Sequence, residues 1–205
     1  MAESYDPDLG MHHRRIMNYT QMTAESLFFH PESTEILTPD YIALLSMASS
    51  LHDLGNVYLD TDILLKHERL SEEEVLLIRK HTLEGDRFFR DIAGTEVIPE
   101  MKMFLGLASE ICLNHHEHYD GTGYPNGRKG VEIPLSARIV SVVDTYDSLR
   151  LRRPYREAWT HERAFDYIKS ESGKKFDPDV VEAFSLIQNQ LNVNNQDDPH
   201  AAKIS

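Results

Sequence analysis

Two pairs of adjacent residues combine side chains that bind metals or move protons. His52-Asp53 lies near the end of the apolar segment LLSMASSLHDLG, and His115-His116 follows a second apolar segment. Adjacent side chains on a helix point about 100° apart, so the members of a pair cannot grip one ion in the same way. A pair at a helix end can instead serve two neighbouring ions, with a carboxylate as the bridge. Two such pairs on different helices predict a two-metal centre.

Further candidate ligands lie elsewhere in the chain. Asp144 is embedded in the apolar run RIVSVVDTYD, where a carboxylate needs a partner because burying it alone is costly. His81 lies in a segment with helical periodicity, and Asp8 and His12 share a face if their segment is helical. A single histidine on a helix is more often a surface or core residue than a ligand, so the prediction rests on the whole set.

The ligand types limit the chemistry of this centre. Two metals about 3.5–4 Å apart can clamp a phosphoryl group and hold a bridging hydroxide as the nucleophile. Mixed imidazole and carboxylate ligands suit iron, manganese, zinc or nickel. Cys112 is the one cysteine in the chain, which disfavours a structural zinc site and excludes an intrachain disulfide.

Composition excludes several other classes of protein. The chain has 205 residues, of which 40% are hydrophobic, and its formal net charge is -13. A strongly acidic protein does not attract polyanions over long range, so we expect no DNA or RNA binding. No apolar run approaches the roughly 20 residues that span a bilayer, and we expect no membrane association. The cysteine content favours a cytoplasmic protein.

The elements that must position these residues are helical nearly throughout. We predict one all-α domain over residues 1–191 and a polar, flexible tail over residues 192–205. The expected helices cover residues 14–29, 38–54, 71–91, 100–115, 136–151, 160–172 and 178–191, with a short segment at 62–66. A loop rich in glycine and proline joins Glu117 to Pro134, and it contains Gly123-Tyr124-Pro125.

The motifs together resemble the HD-GYP domains of the HD phosphohydrolase superfamily. The matching residues are His52-Asp53 with Gly55, His81, His115-His116-Glu117 and Asp120-Gly121-x-Gly123-Tyr124-Pro125. The runs IPLSARIVSVVDTYDSL and RRPYR and the Phe176-Asp-Pro178 tripeptide follow in the same order. The resemblance covers roughly residues 8 to 187 and implies a helical bundle with the GYP loop beside a metal centre.

The resemblance also implies an activity and a set of metal ligands. Members of this family hydrolyse cyclic di-GMP to pGpG and often to GMP at a centre of two or three iron or manganese ions; nickel and zinc also suit such ligands. Asp53 would bridge the metals. Three-metal members have a glutamate where this chain has Asp8, so the resemblance leaves two or three ions open. The implied ligands are Asp8, His12, His52, Asp53, His81, His115, His116 and Asp144.

The resemblance suggests substrate contacts as well. Asn56 stands where the family has a lysine close to the substrate phosphate or leaving group; it keeps a donor and lacks the charge. Asp147, one turn after Asp144, would be catalytic, orienting a leaving oxygen or a water, or would support a ligand from behind. Arg153 and Arg156 would hold the second phosphate.

The role of Tyr124 is open at this level. It would offer its ring or hydroxyl to substrate or to a partner domain, or it would anchor the loop. Gly121 and Gly123 allow the loop a tight path.

Two other functions compete with cyclic di-GMP hydrolysis. Asn56 motivates a metal-bound cyclic dinucleotide sensor or interaction module with weak or no turnover. A phosphodiesterase for 3′,3′-cyclic GMP-AMP would need the same centre. The expected partners are the cyclic dinucleotide and a regulatory receiver or sensor domain or a GGDEF-type protein, because such domains commonly follow a regulatory domain.

Overall fold

The computed structural model describes residues 7–28, 36–66, 68–151 and 157–191, with the side chains of residues 7–10 left out. Within these ranges the all-α prediction is confirmed, since the described residues form helices and a single isolated β-bridge between Ser172 and Phe176. Two short 3-10 helices cover Leu54–Tyr58 and Gly130–Glu132. The α-helices are α1 Pro7–Leu27, α2 Pro39–Ser49, α3 Thr61–Leu64, α4 Glu72–Arg79, α5 His81–Ala93, α6 Pro99–Asn114, α7 Leu135–Arg150, α8 His161–Ser170 and α9 Pro178–Leu186.

Several helix starts follow from capping residues that the sequence predicts. The Thr38 side chain accepts a hydrogen bond from the Tyr41 backbone N–H, with Pro39 at the first helical position. Ser71 and Glu74 form a reciprocal capping box at the start of α4. Asp177 caps α9 by accepting from the backbone N–H of Asp179.

Four helix boundaries differ from the prediction. The first helix begins at Pro7 rather than near residue 14. The second helix, expected over residues 38–54, ends at Ser49, and a turn separates it from the 3-10 helix that begins at Leu54. The single helix expected over residues 71–91 is two helices, because α4 ends at Arg79 and His81 opens α5. Hydrophobic periodicity does not reveal this break, since both pieces keep an apolar face. The last helix, expected to reach residue 191, is interrupted at Ile187. The predicted tail lies outside the described residues.

The helices pack around one apolar core. Helix α5 lies against α6, and α1 contacts α2, α7 and α9. Tyr146 is fully buried and makes edge contacts with the rings of Tyr19, Phe165 and Phe184. None of the described helices is both long enough and apolar enough to cross a membrane.

Gly55 lets the first 3-10 helix lie directly against the start of α5. A Cβ atom at this position would lie 1.9 Å from the carbonyl oxygen of His81 and 2.7 Å from the backbone nitrogen of Gly85. Gly85 in turn faces α6, where a Cβ would lie 3.0 Å from Cβ of Cys112. The Cys112 thiol donates to the Leu51 carbonyl at 3.2 Å. These contacts hold three backbone segments at distances that larger side chains would not permit.

We expect Gly55→Ala to lower the free energy of unfolding by about 3 kcal/mol or more, because two backbone segments must move apart. The same change should weaken metal binding, since the segments carry His52, Asp53 and His81. Chemical denaturation with metal analysis measures both effects. Gly106→Ala is the matched control, because nothing lies within 4 Å of its added Cβ and alanine suits a helix better. Equal stability of the Gly55 and Gly106 variants would contradict the prediction.

Candidate metal centre

His52 and Asp53 lie in the turn that connects α2 to the first 3-10 helix. His52 is buried, with 1% of its surface exposed. Its Nδ1 lies 2.9 Å from the carbonyl oxygen of Ser49, the last residue of α2. A carbonyl only accepts hydrogen bonds, so Nδ1 carries the proton and Nε2 is the free ligand atom of the neutral ring.

His81 and His115 are held in the same way. Nδ1 of His81 lies 2.7 Å from the Ile78 carbonyl oxygen, and Nδ1 of His115 lies 2.9 Å from that of Ile111. Hydrogen bonds of this kind fix the tautomer and the ring orientation of metal-binding histidines. Both rings therefore present Nε2 away from their own helices and toward Asp53.

The Nε2 atoms of His52, His81 and His115 are buried, and none of them forms a hydrogen bond of acceptable geometry with the residues that the structure describes. Buried nitrogens are rarely left unsatisfied, and each such atom calls for a ligand. Three of them facing shared carboxylates fit a metal centre, because an ion supplies the missing partner to all three at once. The donor set of imidazoles and carboxylates suits divalent transition metals.

The Asp53 carboxylate lies between these rings. Its Oδ1 is 3.2 Å from Nε2 of His81 and 3.6 Å from Nε2 of His115, while its Oδ2 is 3.7 Å from Nε2 of His52. Two atoms that each bind one ion at about 2.1 Å lie about 3.0–3.4 Å apart at octahedral or tetrahedral angles. The two oxygens thus face different histidines, as a bridging carboxylate requires.

Two groups of side chains bring one potential ligand atom each within 4.8 Å of the others. The first group consists of Asp53, His81, His115 and His116. The second group consists of His12, His52 and Asp144. His52 and Asp53 link the groups, and Asp144 Oδ1 lies 3.5 Å from Nε2 of His52.

Seven of the eight ligands predicted from the sequence thus lie together. The eighth, Asp8, is on the first turn of α1, and its side chain is outside the described part of the chain.

Strong electrostatic coupling links these groups. Burial lowers the pKa of His52, but the carboxylates of Asp53 and Asp144 outweigh it and raise that pKa to about 9. Burial raises the pKa of Asp53, yet the neighbouring imidazoles hold it well below its usual range. Burial and the charge of His115 hold the pKa of His116 well below its usual range. His116 is therefore neutral at pH 7, as a metal ligand must be.

Asp147 lies behind His12 in the structure. Its Oδ2 is 2.7 Å from Nδ1 of His12, and its Oδ1 accepts from Nε of Arg15 at 2.6 Å. The carboxylate is buried, with 1% of the side chain exposed. These contacts favour the supporting role for Asp147, since they orient His12 toward His52 and Asp144. A direct catalytic role remains a prediction.

The GYP loop is anchored by Glu117, which is 2% exposed. Its two carboxylate oxygens accept from the backbone N–H groups of Asn126 at 2.8 Å and Arg128 at 3.1 Å. Gly123 lies so close to this turn that a Cβ would be 2.2 Å from the backbone nitrogen of His118. The loop is thereby folded back over the helix end that carries the two adjacent histidines.

Tyr124 is placed over the metal centre by this loop. Its ring stacks on His116 with centroids 4.8 Å apart and an interplanar angle of 25°. The guanidinium of Arg79 lies 4.6 Å from the centroid of the same ring. Burial and the charge of Asp53 raise the pKa of Tyr124 above its usual range, so its hydroxyl stays neutral and able to donate.

Of the three remaining residues predicted to contact substrate, the structure describes one. Asn56 is partly buried in the first 3-10 helix, three residues after Asp53. Arg153 and Arg156 lie outside the described residues.

Two contributions were not predicted from the sequence: the loop anchor Glu117 and the cation Arg79 beside Tyr124. Glu117 belongs to the HHE motif, but its role depends on a turn that folds back nine residues later. Arg79 carries no local signal, because a contact distant in sequence brings it to Tyr124.

The metal-free protein should lose stability as the pH rises from 6.5 to about 9. The pKa of His52 is 6.5 in the unfolded chain and about 9 in the folded one. Its contribution to stability is therefore complete below pH 6.5 and is lost as the pH rises through 9. A bound metal takes the place of the proton, so the metal-bound protein should not show this loss. Thermal unfolding against pH measures both forms; parallel curves would contradict the prediction.

The chain shares its sequence pattern with known proteins. The family model described as HD domain matches residues 1–180. A cyclic di-GMP phosphodiesterase of Vibrio cholerae is 40% identical over 191 residues, which cover 93% of this chain and 38% of that protein. A 3′3′-cGAMP-specific phosphodiesterase 2 of the same organism is 32% identical over 182 residues, covering 88% of this chain and 32% of that protein.

A solved structure shares the fold. An HDGYP protein from Bdellovibrio bacteriovorus superposes with a TM-score of 0.56 at 19% identity, covering 85% of this chain and 52% of that one. The chain spans less than half the length of both Vibrio proteins. The resemblance to the HD-GYP proteins, which the ordered histidine, aspartate and Gly-Tyr-Pro motifs suggested, is confirmed. The chain belongs to the HD domain family.

Proposed function

We propose that this chain is a metal-dependent phosphodiesterase that hydrolyses cyclic di-GMP to pGpG, to GMP or to both. The observation that carries the proposal is the convergence of three unpartnered, buried imidazole nitrogens on the Asp53 carboxylate. The substrate is inferred from the Vibrio cholerae cyclic di-GMP phosphodiesterase, which is 40% identical.

The ligand groups would hold two divalent ions, one in each group, with Asp53 as the bridge. Iron or manganese fits this donor set best, and nickel or zinc also suits it. A third ion would need Asp8. Bound there, the ions would supply an activated water for in-line attack and positive charge for the phosphate.

The protein's own groups would prepare the centre and receive the substrate. The backbone carbonyls behind His52, His81 and His115 hold the protons on Nδ1 and keep Nε2 free. Asp147 orients His12 by a hydrogen bond to Nδ1 of its imidazole ring. The neutral Tyr124 hydroxyl can donate to a substrate oxygen or base.

The competing substrate is 3′,3′-cyclic GMP-AMP. The 3′3′-cGAMP-specific relative is 32% identical and covers 88% of this chain. The higher identity to the cyclic di-GMP relative favours cyclic di-GMP. Comparison of kcat/KM for the two substrates on the same preparation decides between them.

Regulation would come from a partner. A receiver or sensor domain, or a GGDEF-type protein that makes the substrate, fits a phosphodiesterase of a second messenger. One relative is named as a response regulator, the Xanthomonas campestris cyclic di-GMP phosphodiesterase RpfG, 38% identical over 155 residues.

Incubation of the Mn(II)- or Fe(II)-bound protein with cyclic di-GMP under anaerobic conditions should yield pGpG or GMP, separated by chromatography. Asp53→Ala should lose metal and lower kcat by at least about 1,000-fold, because both ligand groups share this carboxylate. Asp166→Ala on the exposed side of α8 is the matched control and should behave as the parent. Hydrolysis retained by the Asp53 variant would rule out the two-metal proposal.

Asn56→Lys should raise kcat by about 10- to 100-fold if the missing charge at this position limits turnover, since a cation there would stabilise the phosphate charge. Asn18→Lys, an exposed position on α1, makes the same change of net charge away from the site. Steady-state kinetics of both variants measure the effect. No gain from Asn56→Lys would show that Asn56 does not limit the reaction. If the parent protein is also inactive, the same result would remove the argument that Asn56 makes this chain a cyclic dinucleotide sensor.

A further inference from the structure

Lys175 is a partly buried lysine that borders the second ligand group. Its ammonium donates to Oγ1 of Thr145 at 3.0 Å, and Thr145 follows Asp144 on α7. Nζ also lies 5.1 Å from the centroid of the Phe176 ring. Among the residues that the structure describes, no carboxylate lies within the 4.0 Å of an ion pair to this ammonium.

An unpaired, partly buried ammonium is unusual in so acidic a chain. Acidic residues number 34 against 21 lysines and arginines. Two other lysines are paired with carboxylates: Nζ of Lys66 lies 2.7 Å from Oε1 of Glu74, and Nζ of Lys174 lies 3.6 Å from Oε1 of Glu171. Burial lowers the pKa of Lys175, while the charges of Asp144 and Glu171, which lie beyond ion-pair distance, act in the opposite direction. Such a cation calls for an anion, and the described part of the chain places none within ion-pair distance of it.

The backbone holds Lys175 in a fixed place beside the centre. The Lys175 carbonyl accepts from the Tyr119 N–H at 3.1 Å, and the Lys174 carbonyl accepts from the Asp120 N–H at 2.8 Å. These two hydrogen bonds therefore join residues 174–175 to residues 119–120, which follow the two adjacent histidines. Residues on rigid backbone hold a ligand in a defined geometry, because little ordering is required on binding.

We propose that Lys175 is a substrate-binding residue whose ammonium contacts a non-bridging oxygen of the phosphate bound at the Asp144 side of the centre. The identity of that phosphate rests on the proposed function. An ammonium has three donors, and Thr145 takes one, so two remain for the phosphate. The charge is a compact one on a flexible stem, which suits a phosphate oxygen whose position shifts during in-line displacement.

Lys175→Met tests this with Lys174→Met as its matched control. Both variants remove one positive charge from neighbouring residues, but the Lys174 side chain is 64% exposed and pairs with Glu171. Two quantities are measured on Mn(II)-bound protein: the affinity for inorganic phosphate by titration calorimetry, and kcat/KM for cyclic di-GMP. Lys175→Met should lower both by about 10- to 100-fold, the value of a hydrogen bond to a charged group. Lys174→Met should change both by about twofold or less.

Further measurements separate phosphate binding from a structural role. Lys175→Arg should recover part of both quantities, because it restores the charge. Metal content and thermal unfolding of Lys175→Met should equal those of the parent. Loss of metal from Lys175→Met would instead make the residue a support for Asp144 and overturn the proposal.

The two proposals fail in different ways. If the parent hydrolyses cyclic di-GMP and Lys175→Met matches it in both measurements, the role of Lys175 is wrong and the function stands. If the parent hydrolyses nothing, the proposed function fails, and the phosphate titration still decides the role of Lys175. Equal losses in the Lys174 and Lys175 variants would trace the effect to net charge and overturn the proposal.

Discussion

The metal centre depends on a close backbone contact at Gly55. The missing side chain lets the first 3-10 helix approach the carbonyl of His81 and the nitrogen of Gly85, at distances that a Cβ would prevent. Gly85 extends the contact to Cys112 on α6. This contact holds three chain segments side by side, those that carry His52-Asp53, His81 and His115-His116. All ligand atoms of one ion must lie within a few ångströms of it. The side chains can meet this condition only if the backbone segments that carry them are held this close together.

The closely held ligands impose an electrostatic constraint of their own. Asp53 faces three imidazoles, and His52 lies within 3.7 Å of the carboxylate oxygens of both Asp53 and Asp144. Without metal, a proton on His52 reduces the repulsion between the two carboxylates, which is why its pKa rises to about 9. Metal ions would satisfy the same carboxylates and nitrogens at once. Because each such ion would replace a proton, we expect the affinity of the site for metal to depend on pH.

The sequence predicted the ligands better than it predicted what holds them. His52-Asp53 and His115-His116 are visible because an adjacent pair at the end of an apolar segment has few structural uses, and Asp144 because a carboxylate in an apolar run needs a partner. The break before His81 was missed because two helices with continuous apolar faces give the same periodicity as one. Lys175 was missed because its approach to Asp144 depends on packing between α7 and the segment before α9, which no local pattern encodes.

The proposed phosphate diester substrate is an anion, so an acidic protein that binds it needs positive charge close to the site. A chain of net charge -13 repels anions at long range, so the attraction must be local. Bound metals would supply most of it, and the neutral Asn56 adds none. Arg79, at the end of α4, lies over the ring of Tyr124. Lys175, in the segment before α9, donates a hydrogen bond to Thr145. Cations thus lie near both ligand groups, and together with bound metals they would reverse the field at the place where we propose that the phosphates bind.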